Sequence, residues 1–233
     1  MSMHPEPDTD SIAFDFRELG ERERYKLMIG TIVPRPIALV TTVDPQGRVN
    51  AAPFSFFNCL SADPPIVALG VENHADMSFK DTALNIRLTE VFTVNIVSHT
   101  IAEGMHLCAA EFPPGEDELA AAGFTAVPGV KVASPWIREA PAAFECRRHL
   151  TLELGKSRQI ILGEIVYAHY RSDVVDTERL RIDPARLDAI ARLGGSTCST
   201  IRDRFDMPTP SFAEWSALAP QEEIVAPIAA SIR

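Results

Sequence analysis

The stretch Ala143–Leu154 constrains this chain most. Phe144, Cys146, Leu150, Leu152 and Leu154 fall on one parity, and Glu145, Arg147, His149, Thr151 and Glu153 on the other. Apolar–polar alternation with period two marks a half-buried β-strand and puts the apolar set on one face. Gln159–Tyr170 (QIILGEIVYAHY) follows across the turn-forming Gly155-Lys-Ser-Arg158. The two segments therefore pair as a long antiparallel hairpin, a unit that needs a larger sheet around it.

More strands lie upstream. Pro36–Val43 is apolar and β-branched, and Asp44-Pro-Gln-Gly47 after it reads as a turn. Val49–Phe57 is a second strand, with Pro53 marking an edge or a bulge. Pro65–Val71 and Val91–Val97 are short buried strands, and Asp81–Thr89 between them reads as a helix with Leu84 and Leu88 on one face. Residues 99–141 are Pro-rich and mixed, with short helices expected near 100–110 and 116–122 and loops at Pro128 and Pro135. An excursion this long inside a compact domain points to a lid. A further helix is expected near 184–190. Residues 1–14 read as a flexible lead, 15–210 as one domain, and 211–233, opening with the helix-like SFAEWSALAP, as a C-terminal arm. Strands outnumber helices, so the expected fold is mainly β with added helices, a small barrel whose closure removes exposed edges.

Composition excludes several functions. Lys+Arg 22 against Asp+Glu 32 gives a net charge of −10, a poor match to nucleic acid or an anionic membrane surface. No apolar run is long enough to span a bilayer, and the opening MSMHPEPDTDS has no signal-peptide core. The chain is accordingly read as cytoplasmic. Cys59, Cys108, Cys146 and Cys198 form no CxxC pair and are read as free thiols, and the six histidines show no metal-ligand spacing. Dinucleotide, P-loop, zincin, nucleophile-elbow and EF-hand patterns are absent.

Three local features can carry chemistry. Ser78-Phe-Lys80-Asp-Thr82 opens the helix, offering two hydroxyls, a cation and free helix N–H groups. That is either an anion cradle or ordinary capping by Ser78 or Thr82. Thr41-Thr42, followed by Asn50-Ala51-Ala52-Pro53 and Ser55, is either a plain hairpin or a flat shelf where a heterocycle meets backbone N–H and C=O groups. Ala191-Arg192-Leu-Gly194-Gly195-Ser196 is either a glycine-ended turn or a close approach to a ligand. Arg35, between Pro34 and Pro36, suits a phosphate or a surface carboxylate. His169 reads as a structural histidine. Phe56, Phe57, Phe79 and Trp136 read as core or interface aromatics.

Taken in order, PRPIALVTTVDPQGRVNAAPFSFFNCLSADPPIVALGV (34–71), FKDTALNIRLTEVFTVNIV (79–97), AAFECRRHLTLEL (142–154), IILGEIVYAHY (160–170) and ARLGGSTCSTIRDRF (191–205) resemble the flavin reductase-like family of FMN-binding split β-barrels. The resemblance spans roughly residues 15–210. It implies a homodimer with FMN near the dimer interface. It places Thr41, Thr42, Asn50, Ala51, Ala52 and Ser55 along the flavin ring and ribityl chain, and Ser78, Lys80 and Thr82 on the phosphate, while Arg35 adds a cofactor contact and Arg192-Leu-Gly194-Gly195 approaches the site late in the chain, from its own or the other subunit. It further implies an NAD(P)H:flavin reductase with NADH or NADPH as reductant, and a small-molecule acceptor or a monooxygenase component as electron recipient. The flavin carries the chemistry, so no catalytic side chain is expected. An FMN-storing or sensing dimer without turnover is the alternative. The chain departs from the family pattern at Cys198, where relatives often have tyrosine, and at Gly155–Arg158, which lacks the histidine some relatives carry.

Overall fold

The computed structural model describes residues 11–110, 118–155 and 158–218. In chain order the elements are α1 (Glu21–Thr31), β1 (Arg35–Pro36), β2 (Ala38–Val43), β3 (Val49–Phe54), β4 (Phe57–Ala62), β5 (Pro65–Glu72), α2 (Asp81–Thr89) and β6 (Val91–Ile96). A 3₁₀ turn (His99–Ile101) leads to α3 (Ala102–Leu107), α4 (Glu118–Ala121), β7 (Ala126–Val127), β8 (Trp136–Ile137), β9 (Ala142–Leu154) and β10 (Arg158–Tyr170). Then come β11 (Val175–Asp176), β12 (Arg181–Ile182), α5 (Pro184–Leu187), β13 (Ile190–Arg192), β14 (Cys198–Thr200) and α6 (Phe212–Leu218). The chain divides into two compact units, 1–202 and 203–233. In the second, Ser211 and Glu214 cap α6 reciprocally, with the Ser211 hydroxyl donating to Glu214 Oε2 at 2.7 Å and accepting the Glu214 N–H at 3.2 Å. The rest of the expected C-terminal arm, and residues 1–10 of the lead, lie outside the described residues.

The first unit is built on a seven-stranded antiparallel sheet in the order β3-β2-β6-β9-β10-β5-β4. The expected strand Val49–Phe57 is in fact two: it ends at Phe54, and Phe57 opens β4 at the opposite margin of the sheet. Only Ser55 and Phe56 join them, so covalent geometry forces the margins together at this corner and curls the sheet. Among the described residues no ladder joins β3 to β4. The barrel is split, and chain connectivity closes it where a hydrogen-bonded ladder was expected to.

Inside the curl lies a core of Val40, Leu69, Ile86, Phe92, Val94, Cys146 and Ile161, drawn from five strands and α2. The helix turns toward it with Thr82, Ala83, Asn85 and Ile86. Leu84 and Leu88, expected to share a face, lie on the outward one, 40% and 57% exposed. Around Ile86 the inner face carries small and polar residues, Thr82, Ala83 and Asn85, where α2 packs against β2 and β3.

The alternation of β9 also breaks. The register slips by one residue opposite Leu162/Gly163, leaving His149 as the extra residue of a bulge. A one-residue slip exchanges the two faces of a strand. Phe144 and Cys146 therefore pack inward, whereas Leu150, Leu152 and Leu154 point outward at 45%, 44% and 50% exposure. The expectation that all five share one face holds only before the bulge.

A second core covers the outer face of β2 and β3. Leu39 and Ala51 meet Ile101, Met105, Cys108, Leu119, Ile137 and Ile190 there. The described part of the 99–141 excursion is thus packed, and buried side chains of the sheet pin it. Asn95 Oδ1 accepts the Ile137 N–H at 2.8 Å, and the Thr93 hydroxyl donates to the Ser134 carbonyl at 3.1 Å. Fully buried Glu145 accepts the N–H groups of Val130, Lys131 and Val132 at 2.7, 2.6 and 3.0 Å and pairs with His169 Nε2 at 2.6 Å. Burial works to raise the Glu145 pKa. The Val130 N–H, then His169, then the next two N–H groups outweigh it and hold the carboxyl below the usual glutamate range. Trp136 stacks on His169 with ring centroids 4.5 Å apart. His169 is thus a supporting residue, as its sequence context indicates. The helix expected near 184–190 is only α5, which ends at Leu187 because Asp188 adopts a left-handed conformation.

Among the described residues no helix is long and apolar enough to cross a membrane, and no three His, Cys, Asp or Glu side chains are placed to hold a metal.

Candidate functional site

The β2–β3 register sets Thr42 opposite Asn50, so both side chains share the inner face of the sheet beside the first turn of α2. Asn50 Nδ2 donates to Thr82 Oγ1 at 3.0 Å and reaches Thr42 Oγ1 at 3.4 Å. Asn85 Nδ2 donates to the same Thr42 oxygen at 3.1 Å. Thr42, Thr82 and Asn85 are buried, while Asn50 is half-buried and forms the open side of the cluster.

At the start of α2 the expected capping residues do not cap. Lys80 is the N-cap, with extended backbone, and among the described residues no side chain accepts from the first turn. Thr82 is turned toward Asn50. Ser78 donates its N–H and hydroxyl to Asp76 Oδ1 at 2.9 and 2.6 Å, and that hydroxyl contact leads in holding the Asp76 carboxyl below its ordinary pKa. The N–H groups of the first turn thus keep their donor capacity, and the helix dipole adds positive potential where Lys80 supplies a cation. That is an anion-receptive corner, bounded by two acids, Asp76 and Asp81, the latter in the first turn of α2.

As a margin strand, β3 turns alternate backbone N–H and C=O groups out of the ladder. Ala52 lies on the Asn50 face, paired with Val40. Ala51 faces the other way into the second core, and its N–H is held by Glu118 Oε2 at 2.6 Å. Ser55 stands in the link between the two margins.

Other expected cofactor residues lie elsewhere. Thr41 is buried on the opposite face, where its hydroxyl donates to the Pro135 carbonyl and accepts from Asn95 Nδ2 at 3.2 Å. Arg35 is buried, and among the described residues no carboxylate pairs with it and its Nε has no partner. Its Nη1 donates to the Ile29 and Ile32 carbonyls at 2.6 and 2.8 Å, and its Nη2 to Leu193 at 3.0 Å, tying α1 to the glycine turn. In that turn Gly195 has φ +62°, and a Cβ on Gly194 would sit 3.3 Å from Gly30 Cα. The second glycine serves the turn and the first the packing against α1. Arg192 is set opposite Cys198 on β14, with Nη1 3.7 Å from Sγ. The structure therefore gathers Thr42, Asn50, Ala52 and Thr82 at one place with Lys80 at the helix start, and separates Thr41, Arg35 and Arg192–Gly195 from them. Sequence reading missed Asn85 and Glu118. The first was legible, since it follows Thr82 by three residues on one helix face. Glu118 carries no local signal.

An antiparallel sheet curled to meet at a two-residue corner, with a helix across its inner face, defines a split-barrel protein. A model of the flavin reductase like domain matches residues 29–186, and the chain belongs to that family. An uncharacterized protein of Deinococcus radiodurans is 42% identical over 208 residues, covering 87% of this chain and 91% of that protein. Among solved structures, the Pseudomonas fluorescens 2-nitrobenzoate 2-nitroreductase NbaA superposes with a TM-score of 0.78 at 36% identity, covering 86% of this chain and 98% of that one. The nitrilotriacetate monooxygenase component B of Bacillus cereus gives a TM-score of 0.81 at 29% identity, with 86% and 100% covered.

Proposed function

We propose that this protein is an FMN-dependent oxidoreductase, an NAD(P)H:flavin reductase acting in the cytoplasm. The observation that carries the reading is the uncapped start of α2, with Lys80 beside the Asn50–Thr82 pair. A phosphate dianion needs donors and positive charge, and this corner offers both. Lys80 and the first-turn N–H groups hold the phosphate, with Ser78 released from Asp76 to join them. Asn50, fixed by Thr82, orients the ribityl chain, and Ala52 leaves room for a flat ring along β3 and Ser55. The free edge of β3 offers its outward carbonyl groups to the ring's polar rim, since of its outward N–H positions Ala51 is held by Glu118 and Pro53 has none. When bound, FMN supplies the two-electron chemistry, taking hydride from NADH or NADPH.

The solved component B of a monooxygenase supports a role in which reduced flavin serves a partner oxygenase, and the nitroreductase supports delivery to a small acceptor. The outward row Leu150, Leu152 and Leu154, an apolar stripe unusual on a lone subunit, supports a homodimer.

The visible spectrum of the freshly purified protein, with the mass of any released ligand, tests flavin binding. Nicotinamide absorbance with added FMN then tests turnover. Consumption proportional to protein supports the reductase. A yellow, inert protein supports the storage or sensing dimer, which Cys198 and the histidine-free Gly155–Arg158 turn keep in play. A colourless protein that ignores FMN overturns both.

A further inference from the structure

On the outer side of the second core, between α3 and the β13–β14 hairpin, lies an open hollow of about 480 Å³. That is within the usual range for small-molecule sites. Its floor is apolar, made by Met105 and Ile190, both buried. Its rim is basic and hydroxylic, with Arg192, His99, His106, Ser196 and Thr200. No Asp or Glu is among the lining residues, although the chain carries ten more acids than bases. The nearest acid in sequence to β13, Asp188, is spent in a two-bond pair with Arg202 at 2.9 and 2.8 Å. Among the described residues no carboxylate pairs with Arg192, whose one side-chain contact is the Cys198 sulfur. The backbone that carries Arg192 is held by its neighbour: Arg35 ties the Leu193 carbonyl to α1.

We propose that this hollow binds a small organic acid with a compact apolar body, its carboxylate held by Arg192 and the Ser196 and Thr200 hydroxyls and its body resting on Met105 and Ile190. An arginine fork matches a carboxylate in shape and charge. An apolar floor selects against a bare inorganic anion, which has nothing to bury there. The floor residues share a core with Ala51, on the opposite face of the sheet from Asn50. The site is therefore separate from the flavin corner of the same subunit and does not depend on the flavin reading.

The test uses flavin-free full-length protein and calorimetric titration with benzoate, uncharged benzamide and inorganic phosphate. Benzoate is expected to bind about tenfold tighter than either of the others, the effect of one charge-assisted pairing. Arg192→Gln is expected to remove that preference while leaving the melting temperature unchanged, and Ser196→Ala, in the exposed turn, to weaken benzoate alone. Equal binding of benzoate and benzamide overturns the proposal, as does phosphate matching benzoate, benzoate binding that survives Arg192→Gln, or FMN displacing benzoate competitively. Benzoate binding to a protein that proves unable to bind FMN would leave this inference standing and the flavin reading refuted.

Discussion

The Glu118 carboxylate accepts the backbone N–H of Ala51 at 2.6 Å, on the free margin of β3. A charged acceptor thus occupies an edge donor that lies directly beside Asn50. If a flavin ring draws on that margin, Glu118 competes with it. Glu118→Ala should tighten FMN binding several-fold, on the order of 1 kcal/mol, the net worth of one such hydrogen bond. Fluorescence quenching of FMN during titration reads this directly, and weaker binding in the variant would place the ring elsewhere.

Lys80 starts α2 without a side-chain cap around it. Lys80→Ala should weaken FMN binding by about 1.5–3 kcal/mol, the range for hydrogen bonds to charged groups. Riboflavin, which lacks the phosphate, should bind wild type and variant alike. An equal loss for both ligands would show that the lysine acts on the ring or on the fold.

Buried Glu145 ties residues 130–132 and His169 to β9. Glu145→Gln should cost about 2–3 kcal/mol of stability, since it removes charge from several bonds at once. The pH dependence follows from the lowered folded pKa. Above the ordinary glutamate value, about 4.3, both states are ionised and the contribution is complete. As pH falls further the unfolded chain takes up the proton first, so stability declines until the folded carboxyl is also protonated. Urea unfolding between pH 3 and 7, roughly the window that brackets this titration, should show a steeper acid loss for wild type than for the variant.

Cys59 and Cys198 are exposed, while Cys108 and Cys146 are buried. Burial, then the charge of Glu118, pushes the Cys108 thiol up to about 11, and burial raises Cys146 as well. A thiol reagent at pH 8, roughly the free-thiol pKa, should therefore titrate Cys59 and Cys198 in the native protein and all four cysteines in denaturant. Rapid native modification of Cys146 would contradict its place beside Phe92 in the core.

The strands were legible because each writes its burial locally, as ALVTTV and VFTVNI do. Their order in the sheet was not, since nothing in VNAAPFSFF shows that the chain leaves one margin at Phe54 and rejoins the other at Phe57. The β9 bulge was hidden for a related reason: Arg147-Arg-His149 looks like ordinary polar filler, and only the partner strand reveals the slipped register. At the site, the Thr42–Asn50–Thr82 grouping followed from a hairpin and a helix start. Arg35 deceived because an arginine beside two prolines looks exposed, whereas it turns back onto the end of α1 at Ile29 and Ile32 and is covered by the distant Leu193.

The Ser55–Phe56 link has a consequence for how the molecule can come apart. Cutting one peptide bond there would leave every rung of the sheet in place and yet allow it to unroll from a tube to a ribbon. The seam is held by backbone covalency, so a nick or a long flexible insertion at this point should loosen the inner core far more than the same change in the Asp44–Gly47 turn. Limited proteolysis followed by tryptophan-free thermal readouts would locate the weakness at that corner.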